Sequence, residues 1–342
     1  MSFVNFYKAK WSARTMTQED RQKIFWYLQR KTSYTAWKRV SDAFDKFAAI
    51  FELQVREEPL SKAKMGCWDT DWQGWYPTVL EGQVLYERGL RTLARGDRTV
   101  WLYNDRGIFD DVSTVAGNWY IELVNHGMHG DHFYEGKYLE QMTEAIKDYG
   151  SACAVTAAIV QPMMAETPAP ELWSTFWQDE FSRLPLPAKL PSVPVPATEI
   201  LVKTGENAPV FGIYEPQIPD GCMNYLLAGV PAPTMWESDG TYATDRKLSV
   251  IWRLIWEDTR YANGQIPPEE STYFPDDELS VVSTPAGQLI KDDLLSARSE
   301  ESCPRSGEWA VMDELGAKLK LRKGEKIPRY QGRDADWVWL RK

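Results

Sequence analysis

The three histidines of this 342-residue chain fall in one short stretch, His126-Gly-Met-His129-Gly-Asp-His132. Imidazole nitrogens and a carboxylate such as that of Asp131 are common ligands of zinc and similar ions. Steps of three residues through a glycine-containing turn do not by themselves bring ligands together, unlike the helical H-E-x-x-H spacing. We therefore interpret the stretch as a polar loop between helices and predict no metal or cofactor. A metal-dependent hydrolase that uses His126, His129 and His132 is the alternative.

A second stretch, Trp68 to Tyr76, combines carboxylates with aromatic planes in the sequence WDTDWQGWY. Aromatic planes beside carboxylates are typical of sugar-binding clefts, where two carboxylates can act as acid and base. Asp69 and Asp71 are only two residues apart, and no partner carboxylates can be assigned elsewhere. We interpret residues 59–79 as a loop that its tryptophans pack onto a helical bundle, with a carbohydrate-active protein as a further alternative.

The motifs of the common enzyme classes are absent from the sequence. It contains no G-x-G-x-x-G fingerprint, P-loop, nucleophile elbow or kinase motif set. The four cysteines, Cys67, Cys153, Cys222 and Cys303, lie far apart and form no C-x-x-C pair, so neither a zinc site nor a disulfide framework is predicted. The sequence therefore favours a protein that is not an enzyme.

Net charge and hydropathy limit the classes of partner that the protein is expected to bind. A net charge of −10 disfavours binding to nucleic acid. No apolar run reaches the roughly 20 residues of a membrane span, and the first residues lack the apolar core of a secretory signal. A cytoplasmic location without membrane association is predicted. Acidic residues outnumber basic ones between Glu257 and Glu301, which is typical either of a solvated surface or of a surface that attracts a basic partner.

The first half of the chain has the periodicity of amphipathic helices. Thr17 and Asp20 have the spacing of a capping box, and apolar residues recur at three- and four-residue steps between Trp37 and Phe51. Further helices are predicted over about 80–95, over 135–163 with a break at Gly150, and from Glu171 to Leu184. Together with the first two helices, they make the first half mainly helical.

A proline-rich stretch and a change of pattern separate the two halves. Five prolines fall between Pro185 and Pro196, which excludes helix and central strand there. We predict a mainly helical domain at 1–184, a linker at 185–197 and an α+β domain at 198–342. In the latter, EILVKTG and PVFGIYEP are predicted strands, Asp245–Asn263 a helix, and the segment from Cys303 to Lys342 three short antiparallel strands.

One turn signature occurs twice. Gly205-Glu206 and Gly324-Glu325 each end an apolar strand and are followed by a proline four positions after the glycine, at Pro209 and Pro328. A glycine free to adopt positive φ and a proline that fixes the re-entry of the chain suit a turn between strands. Two unrelated turns and an internal repeat of two β-units both fit this pattern.

Four segments in the second half resemble, in order, the immunity proteins of bacterial polymorphic toxin systems, and most closely immunity protein families 71 and 72. They are TGENAPVFGIYEP, CMNYLLAGVPAP, WRLIWEDTRYANGQIPPEE and CPRSGEW with KGEKIPRYQGRDADWVW. The N-terminal DRQKIFWYLQRKTSYTAWKRVSDAF is also similar to the opening helices of that group, and residues 60–180 match least. The resemblance implies an antitoxin without catalytic residues, made beside a toxin delivered by a system such as type VI secretion.

This implied function agrees with the residues. The partner would be the effector domain of a cognate toxin acting in the cytoplasm, and a nuclease fits the acidic charge of the chain. The toxin-binding candidates are the clustered carboxylates Glu269, Glu270, Asp276, Asp277 and Glu278. A scaffold protein of a secretion apparatus is the remaining alternative, and the tryptophan-rich segments would also suit a homodimer interface.

Overall fold

The computed structural model describes residues 15–63, 68–102, 107–126, 134–156, 177, 181–182, 186–195, 199–237, 246–274, 296–312 and 314–340. Helices occupy the first half of the described chain and antiparallel sheets the second, so the predicted α+β class is confirmed. The helices are α1 (Gln18–Lys31), α2 (Tyr34–Glu57), α3 (Trp72–Leu93), α4 (Ile108–Tyr120) and α5 (Leu139–Thr156). A π-helical turn, Ile121–His126, continues α4.

Twelve strands are present in the described residues. They are β1 (Leu60–Ser61), β2 (Thr70–Asp71), β3 (Leu201–Lys203), β4 (Gly212–Pro216), β5 (Asn224–Leu226), β6 (Met235–Glu237), β7 (Arg246–Leu248), β8 (Ile251–Glu257), β9 (Ser296–Arg298), β10 (Gly307–Val311), β11 (Glu314–Leu321) and β12 (Asp336–Leu340). The first sheet has the order β3-β8-β4-β5 and the terminal sheet the order β11-β10-β12-β9, while β1-β2 and β6-β7 form two-stranded pairs. All strand pairs are antiparallel.

The chain forms two compact units that interleave along the sequence. The first unit comprises 1–36, 155–260 and 267–280, and the second comprises 37–154, 261–266 and 281–342. The predicted linker at 185–197 lies inside the first unit and does not separate the two. The reason is that α1 and the first sheet belong to one unit, although more than a hundred residues separate them in sequence. Whether segments 1–184 and 198–342 fold independently stays a prediction.

The predicted capping box and the predicted apolar stripe are both confirmed. The Thr17 hydroxyl accepts the amide of Asp20, and the Asp20 carboxylate accepts the amide of Thr17 in return. On α2, Phe44, Phe47 and Phe51 are fully buried and contact one another in sequence order. Burying three phenylalanines on one face fixes which side of α2 points into the second unit.

Helix α3 lies close to its neighbours because two of its residues have no side chain. A Cβ added at Gly82 would come within 2.6 Å of the Phe44 ring of α2, and one at Gly89 within 2.5 Å of the Phe109 ring of α4. The helix begins eight residues earlier than the predicted start at about 80. Asp71 caps it by accepting the amide of Gly74 at 2.9 Å. Helix α5 runs through Gly150 without the predicted break.

The three strands predicted at the end of the chain are β10, β11 and β12, and β9 extends their sheet. Trp309 and Ile327 form the centre of the apolar core of this sheet and are fully buried. Val338 on β12 packs against Leu80 and Val84 of α3, within the second unit. The terminal sheet is therefore fixed on a helix by apolar contacts, not only by its own hydrogen bonds.

The helix predicted at Asp245–Asn263 is wrong, because β7 and β8 occupy this segment. Its residues SVIWRLIW satisfy both a helical and a two-residue period. In the structure, β8 has partners on both sides, β3 on one and β4 on the other. The β-branched and aromatic residues, which favour strands, gain this two-sided pairing and so decide the outcome.

The two turns that share the Gly-Glu signature have the same geometry. Gly205 has φ of 86° and Gly324 has φ of 90°. In each turn the following glutamate, Glu206 or Glu325, accepts the backbone N–H of the residue three positions earlier, at 3.0 Å and 2.8 Å. The glycine amides donate to backbone carbonyls of a second segment, at 2.9 Å and 2.8 Å. The two turns thus share their local geometry, and an internal repeat of two β-units stays a prediction.

The similarity extends to the whole of both sheets. The strands of each sheet can be numbered one to four by their spatial position, in the orders given above. Along the chain, the strands of the first sheet then come at positions one (β3), three (β4), four (β5) and two (β8). Those of the terminal sheet come at positions four, two, one and three. These sequences are the same cycle started at a different point. In the order of its strand connections, the terminal sheet is therefore a circular permutation of the first, with the Gly-Glu turn between positions one and three in both.

The first unit is organised around the buried guanidinium of Arg260. It forms a two-pronged ion pair with Asp258, with Nε–Oδ1 at 2.9 Å and Nη2–Oδ2 at 2.8 Å. It also donates to the carbonyls of Gln29 and Thr32 at the C-terminal end of α1, at 2.9 and 3.0 Å. Cations near the last carbonyls of a helix are favourable for both hydrogen bonding and the helix dipole. One side chain from the end of the first sheet therefore terminates α1.

Glu270 performs the opposite task at the start of α2. Its Oε2 accepts the amide and the hydroxyl of Thr35, at 3.1 and 2.8 Å. Its Oε1 lies 3.7 Å from Nη1 of Arg260. Glu270 exposes only 1% of its surface to solvent. Its charge is therefore compensated by partners inside the protein. The turn between α1 and α2 is thus closed by a cation at one end and an anion at the other.

We predict that Gly205→Ala and Gly324→Ala each lower the free energy of unfolding by about 1–2 kcal/mol, the cost of placing an L-residue in the left-handed region. An added methyl group would meet no described atom within 4 Å at either position, so the cost is conformational. Urea-induced unfolding provides the measurement. Gly316→Ala, in a strand without positive φ, is the control and should not destabilise. Equal stability of all three variants would contradict the shared turn geometry.

We also predict that Glu270→Ala lowers the free energy of unfolding by roughly 3–5 kcal/mol, because it leaves a buried cation short of a partner. Glu269→Ala, the exposed neighbour on the same turn, should stay within about 0.5 kcal/mol of wild type. Urea unfolding of both proteins measures the difference. If Glu270→Ala does not fold, Glu270→Gln keeps the volume and an acceptor for Thr35 and should show a smaller loss. Equal effects at positions 269 and 270 would contradict the assigned role.

Candidate functional site

The histidine segment can be followed only at its start. His126 is the last residue of the π-helical turn, and His129 and His132 lie outside the described residues. In the part of the chain that is described, no group of three or more potential metal ligands converges. The metal-site alternative therefore has no described geometry to build on.

The tryptophan-rich stretch divides into a capping segment and the first turns of α3. Asp69 accepts the amide of Ala63 at 2.8 Å and the ammonium of Lys62 at 3.1 Å, and these bonds lower the pKa of its carboxyl. Asp71 is occupied as the cap of α3. Trp72 is buried, whereas Trp68 is 75% exposed. Both carboxylates thus accept backbone amides and organise the local chain.

The five acidic candidates have different surroundings. Glu269 is exposed on the 3-10 turn Pro268–Thr272, whereas the Glu270 carboxylate is used inside the protein. Asp276, Asp277 and Glu278 lie outside the described residues. The spacing of acidic residues gave no means to distinguish Glu269 from Glu270. Glu269 is thus exposed to solvent, while Glu270 has an internal structural role.

A concave site forms elsewhere, within the helical part of the second unit. It is a cleft of roughly 350 Å³, which we call the aromatic–acidic cleft. Helix α3, helix α4 with its π-helical turn, and the segment before α5 supply its lining. The lining residues are Trp75, Thr78, Glu81, Val115, Asn118, Trp119, Glu122 and Tyr134.

Helical spacing explains why these residues meet. Asn118 and Trp119 lie three and four residues after Val115 and four and three residues before Glu122, so all four share one face of α4 and its π-helical turn. Trp75 and Thr78 hold the facing positions on α3. The third side depends on Trp72, whose indole N–H donates to the carbonyl of Glu135 at 2.9 Å. This bond fixes the backbone beside Tyr134.

The aromatic rings of the cleft meet nearly at right angles. The centroids of Trp75 and Tyr134 are 5.4 Å apart with an interplanar angle of 87°. Those of Trp75 and Trp119 are 6.0 Å apart at 62°. Trp119 is buried, whereas Thr78 and Asn118 are exposed at the rim. The cleft therefore has an aromatic interior and a polar opening.

Two carboxylates add negative charge to this aromatic site. The Tyr134 hydroxyl donates to Oε2 of Glu122. Burial, followed by this hydrogen bond, raises the pKa of Tyr134 well above its usual value, so the phenol stays neutral and remains a donor. Glu81, half-buried on α3, supplies the second carboxylate. An aromatic cleft with carboxylates at its edge suits a cationic group better than an anionic one.

Sequence reasoning identified only part of this cleft. Trp75 was one of the aromatic residues singled out, but its partners come from two other segments that pattern analysis does not connect. The four-residue spacing of Val115 and Trp119 on α4 is that of any amphipathic helix and did not indicate a binding site. The π-helical turn, a feature often found at functional sites, cannot be read from residue types.

Comparison with known proteins places the chain. Residues 15–180 match the family model described as Immunity protein 71, and residues 216–274 match that described as Immunity protein 72. No curated protein and no solved structure matches this chain. None of the described helices has the length and apolar character required to cross a bilayer. The aromatic–acidic cleft falls within the first matched range, and Asp258, Arg260 and Glu270 fall within the second. Together the two matches cover most of the chain, which thus belongs to the immunity proteins of families 71 and 72.

Proposed function

We propose that this protein acts without catalysis, by binding a cognate secreted toxin in the cytoplasm and occluding its effector domain. The observation that carries the proposal is the succession of two immunity-family matches along one chain. Occlusion requires a preformed surface, since ordering flexible segments on binding reduces affinity. The capped helices and the buried ion pairs of the first unit are consistent with such a scaffold.

The charge of the chain supports a basic toxin. A net charge of −10 would accelerate association with a positively charged partner and disfavours competition by nucleic acid. A nuclease, whose active site accepts phosphate, is the toxin class that we propose. Delivery by a polymorphic toxin system such as type VI secretion is part of the same proposal. No nucleic acid, membrane or cofactor is required for this role.

We propose that the acidic segment from Glu269 to Glu278 is the part of the protein surface that approaches the toxin first. Glu269 presents its charge to solvent on the 3-10 turn. Glu270 holds the same turn in place through its hydrogen bonds to Thr35 at the start of α2. An exposed charge on an anchored turn is well suited to steer a partner, because its position is fixed before contact.

Co-expression tests the function directly. The open reading frame adjacent to this gene would be expressed in a susceptible host with and without this chain, and survival would be scored together with co-purification. We expect toxicity alone, rescue by co-expression and a stable complex, whose mass by light scattering gives the stoichiometry and reveals any homodimer. A neighbour that is toxic but neither rescued nor bound would overturn the proposal.

Charge reversal tests the acidic segment. Changing Glu269, Asp276, Asp277 and Glu278 to lysine, with Glu270 retained, should lower the association rate about tenfold or more at low salt and weaken its dependence on ionic strength. Stopped-flow fluorescence with the purified toxin measures both. A control variant reverses four exposed acids on helices: Glu19, Glu140, Glu144 and Asp148. Equal slowing in both variants would indicate that net charge, not this segment, steers association.

A further inference from the structure

We propose that the aromatic–acidic cleft receives an arginine side chain of the toxin and is thereby an anchor point of the complex. This inference rests on the proposed function, because it presumes a protein partner. It goes beyond it by assigning a specific surface, a specific chemistry and a region distinct from the acidic segment.

The ring geometry is the first support. Trp75 stands at 87° to Tyr134 and at 62° to Trp119, so the three rings form walls that face in different directions. A planar cation can stack on one ring while its edge points at another. Guanidinium groups stack on aromatic faces more readily than ammonium groups do, since they are planar and weakly hydrated.

The second support is the charge of the lining. Glu81 and Glu122 both line the cleft, one from α3 and one from the π-helical turn that continues α4. The described lining residues include no lysine or arginine. Tyr134 holds Glu122 through its hydroxyl, which fixes one carboxylate oxygen and orients the group. A guanidinium presents several donors in a rigid fork and can therefore bond carboxylates on two sides.

The third support is the form and surroundings of the opening. A volume of roughly 350 Å³ is at the small end of the range for ligand sites and is suited to one side chain rather than to a large cofactor. Ile121, at the start of the π-helical turn, exposes 42% of its surface next in sequence to Glu122. Arginine and aromatic residues dominate interface hot spots, which are surrounded by contacts that exclude water.

Other occupants fit less well. An apolar side chain would offer no hydrogen-bond donor and no positive charge to the two carboxylates of the lining. An anionic group would be repelled by the same charges. A lysine would satisfy the charge but not the fork geometry, so it is retained as a competitor in the test.

The probe for the cleft is N-acetyl-arginine amide, followed by the indole N–H signals of the protein in two-dimensional NMR. We expect the signals of Trp75 and Trp119 to shift in a saturable manner, while N-acetyl-citrulline amide, the neutral isostere, shifts them at least fivefold more weakly. Glu81→Gln combined with Glu122→Gln should lower the affinity for the arginine probe about tenfold, whereas Glu144→Gln, on the exposed face of α5, should not change it. Equal binding of the citrulline probe, or tighter binding of N-acetyl-lysine amide, would overturn the assignment.

The same variants are then tested against the co-purified toxin. The double Gln variant, checked for native unfolding behaviour, should bind the toxin about tenfold more weakly and Glu144→Gln equally well. If wild type and the double variant bind the toxin alike, the cleft is not the anchor, while the immunity function stands. If wild type binds no toxin, the immunity function fails, and the response to the arginine probe still decides whether the cleft takes a cation. Trp75→Leu provides an independent variant that retains both carboxylates and should also weaken binding.

Discussion

The first unit is built around the buried ion pair of Arg260 and Asp258. Arg260 pairs with Asp258, terminates α1 through two backbone carbonyls and lies beside Glu270, which in turn opens α2. Such a charge is tolerated inside a protein only when its hydrogen bonds are satisfied together, since any missing partner leaves an uncompensated ion. The segments that supply these partners are distant in sequence. This requirement explains why the unit combines α1 with residues beyond 200.

Local signals in the sequence were reliable wherever the local chain decides the structure. The capping box at Thr17, the apolar face of α2 and the alternation along β10 to β12 are all present in the structure. The segment around β8 was misjudged because its apolar residues satisfy two periods, and only pairing with β3 and β4 selects the strand. The cleft could not be predicted from the sequence for a related reason, since its walls come from three separate segments of the chain. Glu270 shows the same limit at the scale of one residue, since nothing in a pair of adjacent glutamates tells which one will be buried.

The second unit combines a well-packed interior with an aromatic surface feature. Phe44, Phe47 and Phe51 on α2 occupy the interior, and the residues without side chains on α3 allow the helices to approach. The π-helical turn then continues α4 and places Glu122 in the lining of the cleft, three residues after Trp119. A surface that must bind tightly benefits from such support, because side chains that are already held lose little entropy on binding. The packing of the helices thus also holds the side chains of the cleft in place before a partner binds.

The circular permutation of the two sheets gives them different routes to the same architecture. In the first sheet, β3 is made early but has no partner until β8 is available, so the pairing of Val202 with Trp252 must close a long loop. In the terminal sheet, β10 and β11 occupy the equivalent positions and are joined by a tight connection, so their pairing is local. Local pairings form faster than distant ones. Two sheets with the same cyclic order of strand connections therefore differ in contact order. We expect the terminal sheet to nucleate rapidly, while the first sheet is completed only after most of the chain has been made.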